Sequence, residues 1–409
     1  MLYVGVDWAE AEHAACLLDA AGAVVRRLTI PQRRAGLARL RAAIAAVGPD
    51  PAVVLVAIER PDGLLVDGLL AAGYTVYALN PKAVQRYRER TRLSGGKTDP
   101  ADAELLARIL VTDRDRHRPV QPSGPLIEEL RVLARQDEVA GRDQTRLQNR
   151  LRQDLLAAFP AILDAFPSLA ALSALRFLER WPTATAAGAR TEAELVAFLR
   201  EQGHFRPDAA AARIHAALHA DVLAAPAYLA EARAGAIRLA ARQLLLLREQ
   251  RAAWEKRLRE LLEGDRAHPD GEILLGLPGL DVRLAARVLA EIGDRRERFP
   301  TPAALQCYAG TAPVTKASGR TRVVVARRAC NRFLRQALLR WAFCSLTTSA
   351  WARTFYDQHR LGGKSHHSAL RILANRWLVI LHHLLATGQH YDEAVHQRNR
   401  THAAADSAA

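Results

Sequence analysis

Met1-Leu-Tyr-Val-Gly-Val-Asp7 and, further on, Ala52-Val-Val-Leu-Val-Ala-Ile-Glu59 decide how this chain is read. Each is a short apolar run that stops on a carboxylate. Runs of this length, rich in β-branched residues, read as strands buried on both faces. After the first, His13 to Leu18 and Ala23 to Ile30 give two more strands, joined as a hairpin by Asp19-Ala-Ala-Gly22. A helical pattern from Ala35 to Val47 leads to the strand Val53–Ile58, and another, Gly63 to Ala72, leads to Tyr74–Leu79. Three strands, helix, strand, helix, strand is the order of an RNase H-like α/β domain, placed here at residues 1–115. In the fold that this order resembles, the end of the first strand lies beside the end of the fourth, which would make Asp7 and Glu59 neighbours.

Two more carboxylates, Asp99 and Asp102, stand three apart at a helix start, Thr98-Asp-Pro-Ala-Asp102. Taken alone they read as helix-start chemistry: Asp at the cap, Pro next, a second Asp in the first turn. Taken with Asp7 and Glu59 they form a set able to converge on one point. Such a set repels itself unless divalent cations neutralise it, and Mg²⁺, with Mn²⁺ as a substitute, prefers hard oxygen ligands. A carboxylate site of this kind supports in-line attack on phosphodiesters. Asp62 and Glu104 lie close by; the first falls past the strand end and the second is expected to face elsewhere on its helix.

The remainder of the chain is basic, with a formal net charge of +15 over 409 residues. That balance favours a polyanionic partner, although Ala- and Arg-rich composition also follows from a GC-rich genome. Four scattered cysteines, Cys16, Cys307, Cys330 and Cys344, include no CxxC pair and fit reduced thiols rather than a disulfide framework or zinc site. No basic leader precedes the first strand, and Leu244 to Leu247 is too short and too hemmed by arginines to span a bilayer. The expected setting is cytoplasmic, without a membrane partner.

Charge placement says more than the total. Arg86, Arg88, Arg90 and Arg92 precede Ser94-Gly-Gly-Lys-Thr98, which resembles the end of a phosphate-binding P-loop. The motif needs a further Gly where Thr91 stands. The segment, Lys97 included, therefore reads as a cationic loop against backbone phosphate, not an ATP site. The second cluster is denser. From Lys316 to Arg335 there are seven basic residues, Lys316, Arg320, Arg322, Arg327, Arg328, Arg332 and Arg335, and no acidic one. A solvated face usually mixes signs, so phosphate contact is the better reading. Ser318, next to Gly319, sits inside this cluster as either a turn residue or a nucleophile; a serine hydroxyl needs activation. The pairs His366-His367 and His382-His383 lack partners at ligand spacing and read as helix-surface residues.

Beyond the linker Gln121-Pro-Ser-Gly-Pro125 the pattern turns helical, giving a middle domain at 126–265 with an Ala-rich insertion at 160–225. Leu130, Leu133, Ala140, Leu147 and Leu151 follow a loose heptad interrupted by Asp137 and Gln144. Ile237, Ala240, Leu244, Leu247, Arg251, Trp254, Leu258 and Leu261 follow a better one, enough to expect a coiled coil and a homo-oligomer joined through it. A mainly α C-terminal domain is expected at 271–390. Its Leu275-Gly-Leu-Pro-Gly-Leu-Asp281 reads as a helix-hairpin-helix-like phosphate turn or as a plain Pro-Gly turn between packed helices. The tail 391–409 is expected to be disordered.

With these residues in place, the chain resembles the DEDD-type insertion-sequence transposases of the IS110 family, RNA-guided serine recombinases. The resemblance rests on Val4-Gly-Val-Asp-Trp8, Ile58-Glu59, Lys97-Thr-Asp-Pro-Ala-Asp102, Leu277-Pro-Gly-Leu280, Tyr308-Ala-Gly310, Ala317-Ser-Gly319 and Arg327-Arg-Ala-Cys-Asn331. It covers nearly the whole chain. It implies a RuvC-like N-terminal domain, a coiled-coil middle and a C-terminal transposase domain. It also implies Mg²⁺ on Asp7, Glu59, Asp99 and Asp102, Ser318 as the nucleophile, DNA as substrate, and a noncoding bridge RNA that supplies target choice by base pairing. The alternatives are a junction-resolvase-like nuclease using metal-activated water, and a nucleic-acid scaffold in which the carboxylates are only caps.

Overall fold

The computed structural model describes residues 1–48, 50–91, 98–223, 225–395 and 398. It divides into two compact units, Met1–Pro122 and Ser123–Ala409. The first holds a five-stranded sheet of β1 (Leu2–Asp7), β2 (Glu12–Leu18), β3 (Val24–Pro31), β4 (Val54–Ile58) and β5 (Thr75–Ala78), in the order β3-β2-β1-β4-β5. The strands expected from the apolar runs are all present. β1 pairs antiparallel with β2 and parallel with β4, ending on Val6 opposite Ile58. Asp7 and Glu59 follow as the next position on each strand.

Helices cover both faces, which is why β1 is apolar throughout. Leu2, Val4 and Val6 pack with Leu40 and Ile44 of α1 (Arg34–Ala45) and Leu65 and Leu69 of α2 (Leu64–Ala71). Tyr3, Cys16, Leu55 and Ala57 pack on the other face with Leu106 and Leu110 of α4 (Asp99–Asp113), which follows α3 (Pro81–Thr91). Gly5 belongs to that second face. A Cβ there would lie 1.9 Å from the Ala103 carbonyl oxygen and 2.6 Å from the Ala107 nitrogen. Only glycine lets the α4 backbone rest on β1. The unit runs past residue 115 because the Val120 N–H donates to the Val76 carbonyl at 2.7 Å, along the free edge of β5.

The second unit is built on two long helices, α5 (Pro125–Ala158) and α11 (Ala227–Leu262). Ion pairs Glu129–Arg257, Asp137–Arg251 and Asp154–Arg233 show that they run antiparallel. The heptad stripe expected to join protomers is instead largely used within the chain: Ile237, Ala240, Leu244, Leu258 and Leu261 are buried here. The interruptions of the two heptads meet each other. Arg251 donates to both oxygens of buried Asp137 at 2.8 and 3.2 Å and to Gln144 at 2.7 Å. At one end of the pair, the insertion folds as α6 (Ala161–Ala165), α7 (Leu172–Arg180), α8 (Ala184–Gly188), α9 (Glu192–Glu201) and α10 (Pro207–Leu218). Its core is Phe159, Phe166, Phe177 and Phe198 packed with Leu151 and Leu244 of the long helices.

At the other end stand α12 (Gly271–Leu275), α13 (Val282–Ile292), α14 (Pro302–Ala309), the hairpin β6 (Val314–Ser318) and β7 (Thr321–Val325), α15 (Arg332–Ser345), α16 (Ala350–Leu361) and α17 (His366–Thr387). Their core centres on Trp341 stacked against Trp377 at 5.0 Å and includes Ile127, Leu130, Leu258 and Leu262 from the long helices. Packing is therefore continuous across 265–271, where a domain boundary was expected. Among the described helices α17 alone has the length and hydropathy to cross a membrane, and half of that stretch is buried in this core. The C-terminal tail corrects the expectation of disorder from residue 391. Tyr391 accepts a hydrogen bond from the Trp351 ring at 2.6 Å, and Glu393 accepts from the Ala350 N–H at 2.9 Å, capping α16. Past Val395 the tail, apart from Arg398, lies outside the described residues.

Burial under α4 pushes the Cys16 thiol up to about 11, with Glu104 adding to the effect. Alkylation at pH 8 followed by mass spectrometry should modify Cys307, Cys330 and Cys344 well before Cys16. Gly5→Ala should lift α4, lower stability by about 3 kcal/mol and bring Cys16 into the reactive set.

Candidate active site and nucleic-acid interface

Strand alternation places Asp7 on the face of Tyr3 and Gly5, toward α4. Asp102 lies in the first turns of α4, next to the Ala103 carbonyl that Gly5 accommodates, and is 2% exposed. The helix-cap reading of the aspartates is not realised. Thr98 holds the N-cap position without a side-chain cap bond, and Asp99 is the exposed first helical residue. Asp102 turns instead to Arg88 of α3, whose Nε donates to Oδ1 at 3.1 Å while Nη2 lies 2.9 Å from Oδ2. Arg88, read from sequence as a phosphate contact, is thus the counter-ion of the buried aspartate.

Glu104 does face elsewhere. Arg27 and Arg108 approach it at 2.6 and 2.7 Å. Burial raises its pKa, but those hydrogen bonds prevail and hold the carboxyl below its usual range. Asp62 is exposed and pairs only loosely with Arg60 at 3.6 Å. One residue beside the strand ends was assigned no role from sequence. Trp8 stacks on His13 and lies under the Arg60 guanidinium, 4.4 Å from its ring centre, bracing the loop after Asp7. The one available signal was an aromatic residue directly after a strand-ending carboxylate.

Among the described residues, no group of three or more His, Cys, Asp or Glu side chains is gathered closely enough to hold an ion. The donor chemistry nonetheless suits a hard divalent cation: every candidate ligand is a carboxylate, two follow adjacent strand ends, and the buried one already requires positive charge. Arg88 supplies that charge here and would have to give way. Arg92, Lys97 and the glycine-rich loop between them lie outside the described residues, while Arg86 and Arg90 are exposed on α3.

In the second unit Ser318 ends β6 and pairs with Thr321 across a two-residue turn. Gly319 has φ +54° and among the described residues no non-glycine has positive φ, so the turn is of the type II′ form, which takes glycine first. The strands β6 and β7 are a two-stranded sheet of their own, and residues 315–324 are all exposed. Among the described residues none of Lys316, Arg320, Arg322, Arg327, Arg328, Arg332 and Arg335 forms an ion pair, although arginines elsewhere in this unit commonly do. The hairpin and its exit are a free cationic surface with a serine at the tip.

The Pro-Gly turn resolves toward packing. A Cβ on Gly279 would lie 2.6 Å from the Ser345 nitrogen, and the Pro278 carbonyl accepts from the Trp341 ring at 3.0 Å. Asp281 accepts from the Leu284 N–H at 2.8 Å, so a carboxylate already occupies the α13 N-terminus where a phosphate would sit. His382 meets the Phe299 carbonyl at 2.8 Å and His366 meets the Tyr356 hydroxyl at 2.7 Å, both as helix-face contacts.

Arg88→Ala would strand Asp102 as a buried, unpaired carboxylate, and thermal melting in EDTA should show a loss of about 3–5 kcal/mol. Adding Asp102→Ala to that variant should recover most of the loss, because the two costs are one interaction.

A family model described as a transposase, of the DEDD type named for IS110, matches residues 4–160, and the model of the transposase IS116/IS110/IS902 family matches residues 271–357. The Streptomyces coelicolor mini-circle protein named as a transposase for IS117 is 37% identical over 96% of this chain and 95% of its own length. The 43.6 kDa protein of insertion element IS110 from the same organism is 30% identical over 96% of this chain and 95% of its own. The 42 kDa protein of insertion element IS900 from Mycobacterium paratuberculosis is 29% identical over 99% of both chains. A match of this extent makes the chain a member of the IS110 family of insertion-sequence transposases.

Proposed function

We propose that the chain cuts and rejoins DNA by transesterification, with Ser318 as nucleophile. Its first unit would be an RNase H-like, RuvC-like domain whose Asp7, Glu59, Asp99 and Asp102 hold Mg²⁺. The observation that carries the reading is the position of Ser318, exposed at a tight turn with unpaired Lys316, Arg320 and Arg322 around it. Mg²⁺, when bound, supplies Lewis-acid stabilisation of charge on phosphodiester oxygens.

The chain's own residues do the rest. Lys316, Arg320 and Arg322 hold non-bridging phosphate oxygens and draw the backbone to the turn. Ser318 Oγ forms a bond to phosphorus, the bond from phosphorus to the 3′ oxygen breaks, and the serine proton ends on the released 3′-hydroxyl. One phosphodiester replaces another, so the step is close to isoenergetic and runs in reverse for rejoining without ATP. Sequence choice would come from a noncoding RNA paired to the DNA, with the protein reading duplex shape and backbone.

The test is to incubate the protein with the element's RNA, DNA containing the element's junction and Mg²⁺, then denature and look for DNA bound covalently to protein. The adduct is expected, and it should vanish in Ser318→Ala and in Asp102→Ala. Free cleaved ends without an adduct, persisting in Ser318→Ala, would instead identify a hydrolytic nuclease. Single changes of Lys316, Arg320 or Arg322 to Ala should weaken duplex binding at every sequence and each lower the salt slope by about 1.

A further inference from the structure

Among the described residues the serine hairpin has no sheet partner, and an isolated two-stranded hairpin is marginally stable in water. Its position must therefore come from the two points where the chain enters and leaves it. At the entry, buried Thr311 donates to the Asn375 side-chain oxygen at 2.7 Å, and Gln306 donates to the Asn375 carbonyl at 3.0 Å. At the exit stands Asn331, and its surroundings are unusual. Glu291 of α13, 4% exposed, accepts from the Asn331 amide at 2.6 Å and from Arg135 of α5 at 2.7 and 3.0 Å. The same amide nitrogen donates to the Tyr308 hydroxyl at 2.8 Å, and the Asn331 backbone N–H donates to the Tyr308 carbonyl at 2.8 Å. Its side-chain oxygen accepts from the Leu334 N–H at 3.0 Å, capping α15. Arg135 in turn lies over the Phe333 ring at 4.7 Å.

Asn331 thus uses both amide hydrogens and its oxygen at once. Alanine could do none of this, and Asn331→Asp would set a second carboxylate against Glu291. An ion pair on a buried carboxylate is not needed for stability, since apolar replacements of such pairs are commonly neutral or better. What it does give is direction: it fixes the backbone at one point relative to three other helices.

We infer that Glu291 and Asn331, with Arg135 and Tyr308, are positioning residues that set where Ser318 stands. The inference rests on the reading of Ser318 as nucleophile. The chain between the two anchors, residues 312–330, carries the serine and most of the unpaired cations, so loosening either anchor moves them together.

Hydrogen–deuterium exchange on the DNA-free protein reads the anchoring directly. In Asn331→Ala and in the milder Tyr308→Phe, amides of residues 314–325 should exchange faster while those of α17 hold. In the adduct assay above, Asn331→Asp should slow covalent attachment by about 100-fold, the effect of a displacement near 1 Å, with junction-DNA affinity within a few-fold. Combining Asn331→Asp with Glu291→Gln reverses the hydrogen bond between the two side chains and leaves a single negative charge in the cluster. That pair should restore the rate well above Asn331→Asp alone. Unchanged hairpin exchange, or attachment at the wild-type rate in the single variants, would overturn the inference. So would rates that track only the loss of melting temperature, without rescue by the swap. An adduct that survives Ser318→Ala fails differently: it removes the nucleophile reading itself, while the exchange data still report whether the anchor holds the hairpin.

Discussion

Because Gly5 has no side chain, the backbone of α4 lies directly on the central strand, and the acidic residues of the first unit depend on that contact. Glycine inside a strand costs about 0.5–1 kcal/mol relative to alanine. Here the cost is offset by the packing of Ala103, Leu106, Ala107 and Leu110 against the sheet. The same approach buries Asp102, and a buried carboxylate demands a partner. Arg88 meets the demand with two contacts from α3. One missing Cβ therefore lets α4 come close enough to bury an aspartate and fixes the need for a positive charge beside it.

The second unit places its buried charges differently. Asp137 and Arg251 stand at heptad positions of facing helices, where apolar residues would pack more simply. Breaking such a pair costs about 3–5 kcal/mol while replacing both members is often neutral, so its value lies in register. Slipping α5 along α11 by one turn would leave Asp137 and Arg251 each opposite apolar side chains. Arg283 of α13 adds to the same point, 3.6 Å from Asp137 and 3.0 Å from Glu255. The helix pair, the insertion and the C-terminal helices share that alignment, because Leu151 and Leu244 enter one core while Leu130 and Leu258 enter the other.

Strand order, the strand-ending carboxylates and the cationic run around Ser318 were legible from local pattern, since apolar period and charge runs are properties of neighbouring residues; the hairpin that carries the run, in a domain expected to be mainly α, was not. Three features were not. The Arg88–Asp102 pair looked like two separate motifs, a basic run and a helix cap, because the pairing depends on how α3 and α4 cross. Asp137, Gln144 and Arg251 looked like flaws in two heptads until the helices were set antiparallel. Asn331 sat in a stretch read for its charge, although its amide is the better informed group. Each of these is a tertiary partnership between residues far apart in sequence, and no single window contains both partners. Gly5 stands between the two cases: an isolated glycine in an apolar strand is itself a sign of close backbone approach.

On the proposed reading, Ser318 would differ from a nucleophile held in a catalytic triad. Among the described residues no His, Asp or Glu hydrogen-bonds to it, and the charged residues nearest to it in sequence are Lys316 and Arg320. A serine hydroxyl at neutral pH is a poor nucleophile without a base or an electrophile made more reactive. On the proposed reading the activating influence arrives with the substrate: the phosphate brings the negative charge that Lys316, Arg320 and Arg322 can bind. Binding and activation then become one event. Such an arrangement has a reason, because a serine activated in advance on an exposed turn would attack acyl and phosphoryl donors indiscriminately. The hairpin can be left in solvent because its chemistry is incomplete there, and the demand on the fold shifts from activating the hydroxyl to aiming it. That demand falls on the chain's two anchor points, Thr311 and Asn331, and on the buried carboxylate of Glu291.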